Sequence, residues 1–266
     1  MVRCALSRCQ SAKRGNAAEE LEDAIHFDPK PDPPGSPLEG PVVLLAIADG
    51  ATESSYSRDW ATMLVRDYCN HPFHNAKTLC DHVVALSERW RAVVARKGPL
   101  PWYAEEKVRS GAFATFLGLE IRESDEGPVV GGAWNAVAVG DSCLFHTRRH
   151  RLVESFPLVT SSQFGNNPEL VPTDPRAIAR LAEHVQKMKN GQWMNGDVFI
   201  LASDALAAWC LREHERGGEP WRVLVELGFS PEDSEGSLTR LFESLLDSGA
   251  IKNDDLSVVI ARLSAG

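Results

Sequence analysis

The chain has 266 residues, enough for one large domain with a buried core, and its 43% hydrophobic and 24% charged residues are an ordinary globular balance. No uninterrupted apolar run approaches bilayer length, which excludes membrane-spanning classes, and a formal net charge of -9 excludes broad nucleic-acid backbone binding, which draws on clustered Lys and Arg.

Taken along the chain, MVRCALSRCQSAKRGN lacks the apolar core of a secretory signal, so the expected location is cytoplasmic, without membrane partners. Residues 1–12 are expected to be a flexible tail at the start of a single domain spanning 1–266. The acidic EELEDA and a proline-rich loop over 28–40 follow. β-Branched apolar runs predict strands over 42–48, 112–121, 133–139, 142–147, 198–202 and 256–263. Helical spacing predicts helices over 58–68, 76–96, 175–189 (after an Asp174 cap) and 234–246. Strands 133–139 and 142–147 are expected to pair as a hairpin across Gly140-Asp141. The order of elements disfavours an alternating parallel sheet and favours antiparallel sheets with helices over their outer faces. Six cysteines without CxxC or zinc spacing are read as reduced, mostly core thiols.

Acids stand at the ends of these strands. VVLLAIA runs into Asp49-Gly50, VFILAS runs into Asp204, and Asp254 precedes LSVVIARL. A charge at the end of a buried strand is costly unless something neutralises it. Singly, each has a structural explanation: a turn at Asp49-Gly50, a helix cap at Asp204, a solvated hairpin tip at Asp254. Together, carboxylates and a glycine carbonyl form the oxygen-only donor set that magnesium or manganese takes.

The motifs EELEDA, LLAIADG, SGAFATFLGL, WNAVAVGDSCLF, GDVFILASDAL and NDDLSVVIARL occur in an order that resembles the metal-dependent serine/threonine protein phosphatases of type 2C. The resemblance runs from about Lys13 to Leu263. It implies an α+β fold, a four-layer α/β/β/α sandwich whose two central antiparallel sheets are flanked by helices. It also implies two Mn2+ or Mg2+ ions, with Asp49 bridging them, Glu22 and the Gly50 carbonyl serving one, and Asp204 and Asp254 completing the other. Asp23 matches the outer acid that acts through metal-bound water, and Asp141 is assigned to the turn. The implied activity is hydrolysis of phosphoserine or phosphothreonine by a metal-bridging hydroxide, with a phosphorylated protein as substrate and a cognate kinase or sensor protein as a further partner. Lys13 and Arg14 are the candidates for gripping the phosphate, against the alternative of a mobile basic tail.

Three departures stand out. Ala51-Thr52-Glu53-Ser54 follows Asp49-Gly50 where many relatives carry His or Met and two glycines, leaving Thr52, Glu53 or metal-bound water as proton donors. The SDG motif reads Ser203-Asp204-Ala205, and the Asp-Asn pair reads Asp254-Asp255. No acid matches a third metal site. Two other readings remain: a non-catalytic binding module with the same fold, and a phosphatase for small phosphate esters. Phe156, Phe164 and Trp193 are read either as a recognition surface or as packing beneath a long loop.

Overall fold

The computed structural model describes residues 1–51, 56–97, 111–123, 131–165, 167–184 and 188–265. In chain order the larger elements are β1 (Val2–Ser11), β2 (Ala24–Asp28), β3 (Leu38–Gly40), β4 (Val42–Ala48), α1 (Ser57–Asn70) and α2 (Ala76–Arg96). There follow β5 (Phe113–Ala114), β6 (Phe116–Glu123), β7 (Gly131–Val139), β8 (Cys143–Arg148), β9 (Arg151–Phe156), β10 (Val171–Pro172) and α3 (Pro175–His184). The chain continues through β11 (Met188–Met194), β12 (Val198–Ala202), α4 (Asp204–Glu215), α5 (Pro220–Gly228), α6 (Ser234–Asp247) and β13 (Leu256–Ala265).

The strands form a six-stranded sheet, ordered β3-β1-β13-β12-β8-β9, a five-stranded sheet, ordered β11-β7-β6-β4-β2, and a separate two-stranded pair of β10 with β5. Side chains alternate across a strand, and here both faces are covered, which is why the central strands read as continuous apolar runs. On β4, Val43, Leu45 and Ile47 face the space between the sheets, while Leu44, Ala46 and Ala48 pack under α1, α2 and α3. On β13, Val259, Ala261 and Leu263 face inward, and Leu256, Val258 and Ile260 pack against α4, α5 and α6. The result is the expected α+β arrangement, two antiparallel sheets between layers of helices. No described helix is long and apolar enough to cross a membrane.

Several expectations need correction. Residues 2–11 are strand β1, paired with β13 from Val2↔Ala265 to Ser11↔Leu256, in place of a flexible tail. Val2, Cys4 and Leu6 pack between the sheets and Cys9 packs against the helical layer, so burial on both faces and a long backbone ladder outweigh the polar composition. Strands β7 and β8 are not a hairpin, because β7 lies between β6 and β11 and β8 between β12 and β9. The Gly140-Asp141 turn instead carries the chain from one sheet to the other. Gly140 has φ +100°, and a Cβ there would stand 2.8 Å from Thr115 Cβ and 2.9 Å from the Glu169 carbonyl, so glycine suits both conformation and space. The predicted helix over 175–189 is described as far as His184, and Met188–Met194 is strand β11, held by its ladder to β7. Cys4, Cys9, Cys69, Cys143 and Cys210 are buried free thiols and Cys80 is half-buried. Burial pushes the Cys4 thiol up to about 12.

At the far end of β12 from Asp204, Asp197 is fully buried and anchors a charged cluster. Arg148 donates Nε to Oδ1 at 2.7 Å and Nη2 to Oδ2 at 2.8 Å, His146 Nε2 lies 2.8 Å from Oδ2, and the Met194 amide donates to Oδ2 at 2.8 Å. Burial alone would raise this carboxyl, but those partners outweigh it and hold Asp197 well below the usual carboxylate range.

Candidate metal centre

The two sheets bring their acidic ends together. The five-stranded sheet supplies Asp49 after β4 and Asp23 before β2, which are neighbours because Ala24 pairs with Ala48. The six-stranded sheet supplies Asp204 after β12 and Asp254 before β13, also neighbours because Ala202 pairs with Val258. Burial first, and then the charges of Asp23, Asp204 and Asp254, raise Asp49 well above the ordinary carboxylate value. Burial and the charge of Asp254 raise Asp204, opposed by the Ala205 amide and by Lys252. Four acids from two sheets therefore share one electrostatic neighbourhood.

Asp204, Asp254 and the nearby Glu22 are also held locally. The Ala205 amide donates to Asp204 Oδ1 at 2.5 Å, the Asp255 amide to Asp254 Oδ1 at 3.0 Å, and the Ser57 hydroxyl to Glu22 Oε1 at 2.5 Å. Beyond β4, the Thr115 amide donates to the Asp49 carbonyl at 2.8 Å and the Ala51 amide to the Phe113 carbonyl at 2.9 Å. These two bonds extend the sheet and do not use the Gly50 carbonyl. The Asp49 amide donates to Thr115 Oγ1 at 3.1 Å, and that hydroxyl lies 2.8 Å from Ser142 Oγ, so the SGAFAT segment and the sheet-crossing turn brace Asp49 together.

A Cβ at Gly50 would stand 2.9 Å from the Glu22 carbonyl, 2.9 Å from Ser57 Cβ and 3.0 Å from the Ser57 carbonyl carbon. Gly50→Ala is accordingly expected to destabilise the fold by about 1–3 kcal/mol, read as a lower denaturant midpoint at unchanged slope.

Asp23 is 4% exposed, and neither of its carboxylate oxygens meets a partner in hydrogen-bonding geometry. Burial pushes it up to about 7; the neighbouring Ser257 hydroxyl opposes this, and the charges of Asp255 and Asp204 add to it. Glu22, Asp49, Asp204 and Asp254 are partly open to solvent, whereas Asp23 and Asp255 are buried. Among the described residues, no three His, Cys, Asp or Glu side chains already stand in a cation-holding arrangement. The donor set nonetheless fits a hard divalent cation: oxygen only, mutually repelling, with unpartnered carboxylate oxygens behind it.

Residues 13–14 are not a mobile tail. The Lys13 amide donates to Asp255 Oδ1 at 2.8 Å and the Arg14 amide to Asn253 Oδ1 at 2.7 Å. The Arg14 guanidinium is paired with Asp247 at 2.8 Å, and both side chains are exposed. Sequence reasoning missed Ser57, Lys252, Asn253 and the structural use of Asp255; only the acidity of Asp255 beside Asp254 was visible. Thr52 and Glu53 lie outside the described residues. Phe156 and Trp193 are buried, with Trp193 Nε1 donating to the Arg122 carbonyl at 2.8 Å, and Phe164 packs against the helical layer over the six-stranded sheet. They are packing residues.

Solved structures share this architecture. The catalytic domain of the serine/threonine protein phosphatase PstP in complex with two manganese ions aligns over 99% of this chain and 100% of its own, at TM-score 0.56 and 17% identity. The Mycobacterium tuberculosis serine/threonine phosphatase PstP/Ppp aligns over 98% and 99%, at 0.57 and 15%. RsbX in complex with magnesium aligns over 98% and 96%, at 0.51 and 14%. No protein-family model and no curated protein sequence matches the chain. The chain thus has the fold of the type 2C serine/threonine phosphatases, as the motif order implies.

Proposed function

We propose that the protein is a metal-dependent phosphatase that hydrolyses phosphoserine or phosphothreonine in a phosphorylated protein. The observation that carries this reading is the convergence of Asp23 and Asp49 from one sheet with Asp204 and Asp254 from the other. The fold shared with PstP and RsbX, whose structures hold manganese and magnesium, supports it.

In this reading Asp49, Glu22, Asp204, Asp254 and the Gly50 carbonyl would hold two Mn2+ or Mg2+ ions, with Asp23 behind them. When bound, such ions supply Lewis acidity that makes water a nucleophile at neutral pH and offsets charge gathering on phosphoryl oxygens. The chain's own residues do the rest. Thr115 and Ser142 fix the Asp49 backbone, Ser57 fixes Glu22, and Asp23 stands buried behind them. Arg14 would bind the phosphate; its exposed pair with Asp247 contributes little, about 0–1 kcal/mol, and a phosphate dianion competes readily for the guanidinium.

Hydrolysis of para-nitrophenyl phosphate by the metal-stripped protein with added manganese tests the reading. Manganese-dependent turnover that Asp204→Asn removes is the expected result, and wild-type protein without turnover on this ester or on a phosphothreonine peptide would overturn it. Arg14→Ala is expected to raise KM several-fold with kcat nearly unchanged, and Lys13→Ala serves as the parallel test of the neighbouring cation. The second reading is a phosphoprotein-binding module without turnover; binding of the phosphopeptide with no manganese uptake would select it. Cytoplasmic action beside a kinase or sensor protein belongs to the first reading.

A further inference from the structure

We infer that Asn253 and Asp255 are positioning residues, which hold the backbone of the segment from Lys13 to Glu22 beside Asp254 and so set where Arg14 and Glu22 stand. The inference rests on the phosphatase reading for the roles of Arg14 and Glu22, and on hydrogen bonds for everything else.

The tripeptide Asn253-Asp254-Asp255 leads into β13. Its first side chain pairs with both backbone groups of one residue: Asn253 Oδ1 accepts from the Arg14 amide at 2.7 Å, and Asn253 Nδ2 donates to the Arg14 carbonyl at 3.1 Å. A neighbouring strand would make the same pair of contacts. Its last side chain spans two points of the loop, since Asp255 Oδ1 accepts from the Lys13 amide at 2.8 Å and Oδ2 from the Glu22 amide at 2.7 Å. Asp255 is only 5% exposed, so these bonds form out of water, where a charge-assisted bond is strongest. Between Lys13 and Glu22 the chain turns at Gly15, φ +101°, and runs through a short helical turn over Ala18–Glu20. That segment pairs with no strand of either sheet. On its other side Ser57 holds Glu22 and Arg58 reaches the Glu19 carbonyl.

Two acceptors on one residue explain the second acid of the Asp254-Asp255 pair. An asparagine at 255 would present one oxygen, and its NH2 group would face a backbone N–H. The carboxylate instead fixes both ends of the loop, and Asn253 adds the setting of Arg14. The division of labour is specific: Asp255 governs Glu22 and hence cation affinity, and Asn253 governs Arg14 and hence phosphate affinity.

The test uses the full chain, stripped of metal, with Asp255→Asn, Asp255→Glu and Asn253→Ala. Asn keeps the shape and loses one acceptor; Glu keeps the charge and loses the reach. Manganese binding by calorimetry is expected to weaken about tenfold or more in both 255 variants and to stay within about twofold of wild type in Asn253→Ala. With saturating manganese, Asn253→Ala is expected to raise KM for para-nitrophenyl phosphate about fivefold with kcat nearly unchanged. Amide exchange at Lys13 and Glu22 should quicken in both 255 variants of the metal-free protein, with distant β12 amides unchanged to show an intact fold. Wild-type manganese affinity in Asp255→Glu, or unchanged KM in Asn253→Ala, would overturn the inference. If wild-type protein takes up no manganese, the phosphatase reading falls on its own, and unchanged exchange at Lys13 and Glu22 would still remove Asp255 as the residue that holds the loop.

Discussion

Asp49→Asn is expected to cut manganese-dependent hydrolysis by at least a hundred- to a thousandfold, on the order seen when a single electrostatic contact to a developing charge is removed, while raising the melting temperature of the metal-free protein by a few degrees. Both effects have one cause. Asp49 is the acid that feels Asp23, Asp204 and Asp254 together, from both sheets. Replacing its carboxylate by an amide of the same shape removes that repulsion and the burial of charge. It also removes one of the carboxylates that would hold the cations. The backbone bonds from Thr115 and Ala51 do not depend on the side chain, so the fold persists. Thermal unfolding with and without manganese reads this directly: wild type gains stability on adding manganese and the variant does not. Retained turnover, or a variant that melts well below wild type, would contradict the assignment.

The largest loss of stability is expected at the other end of β12. Asp197→Ala should destabilise by about 3–5 kcal/mol, because it leaves His146 and a guanidinium facing a buried gap with their shared acceptor gone. The pH dependence follows from the depressed carboxyl. A carboxyl whose folded value lies below its unfolded value of about 3.9 stabilises fully above that value, and the contribution fades as pH falls toward the folded value. Wild-type stability should therefore decline below about pH 4 more steeply than that of Asp197→Asn. Denaturant midpoints between about pH 6 and pH 3 measure both predictions, and a midpoint for Asp197→Ala within experimental error of wild type would refute the first.

What was legible in the chain follows from where each signal originates. VVLLAIA, VFILA and LSVVIARL could be read as strands because helices cover one face and the opposite sheet covers the other, so nearly every position is apolar, Ser257 and the exposed Arg262 being the exceptions. Strand β11 could not, since most of MKNGQWM is exposed and Trp193 alone is buried; its place comes from the ladder to β7. The sheet change at Gly140-Asp141 was hidden for a related reason. Strands apolar on both faces do not encode which neighbour they take, and the turn looks the same whether it folds back or crosses over. In the candidate centre, Asp49, Asp204 and Asp254 were visible as acids at strand ends. The roles of Ser57, Asn253 and Asp255 depend on which distant amide or carboxylate each one meets, and spacing carries no trace of that.

Since Asp23 and Asp49 ride on one sheet and Asp204 and Asp254 on the other, neither half of the sandwich alone holds a complete set of acids. Cation uptake would then report the docking of the two halves: a partly folded chain with one sheet formed would ignore manganese, and the ion would act as a late-stage clasp across the seam.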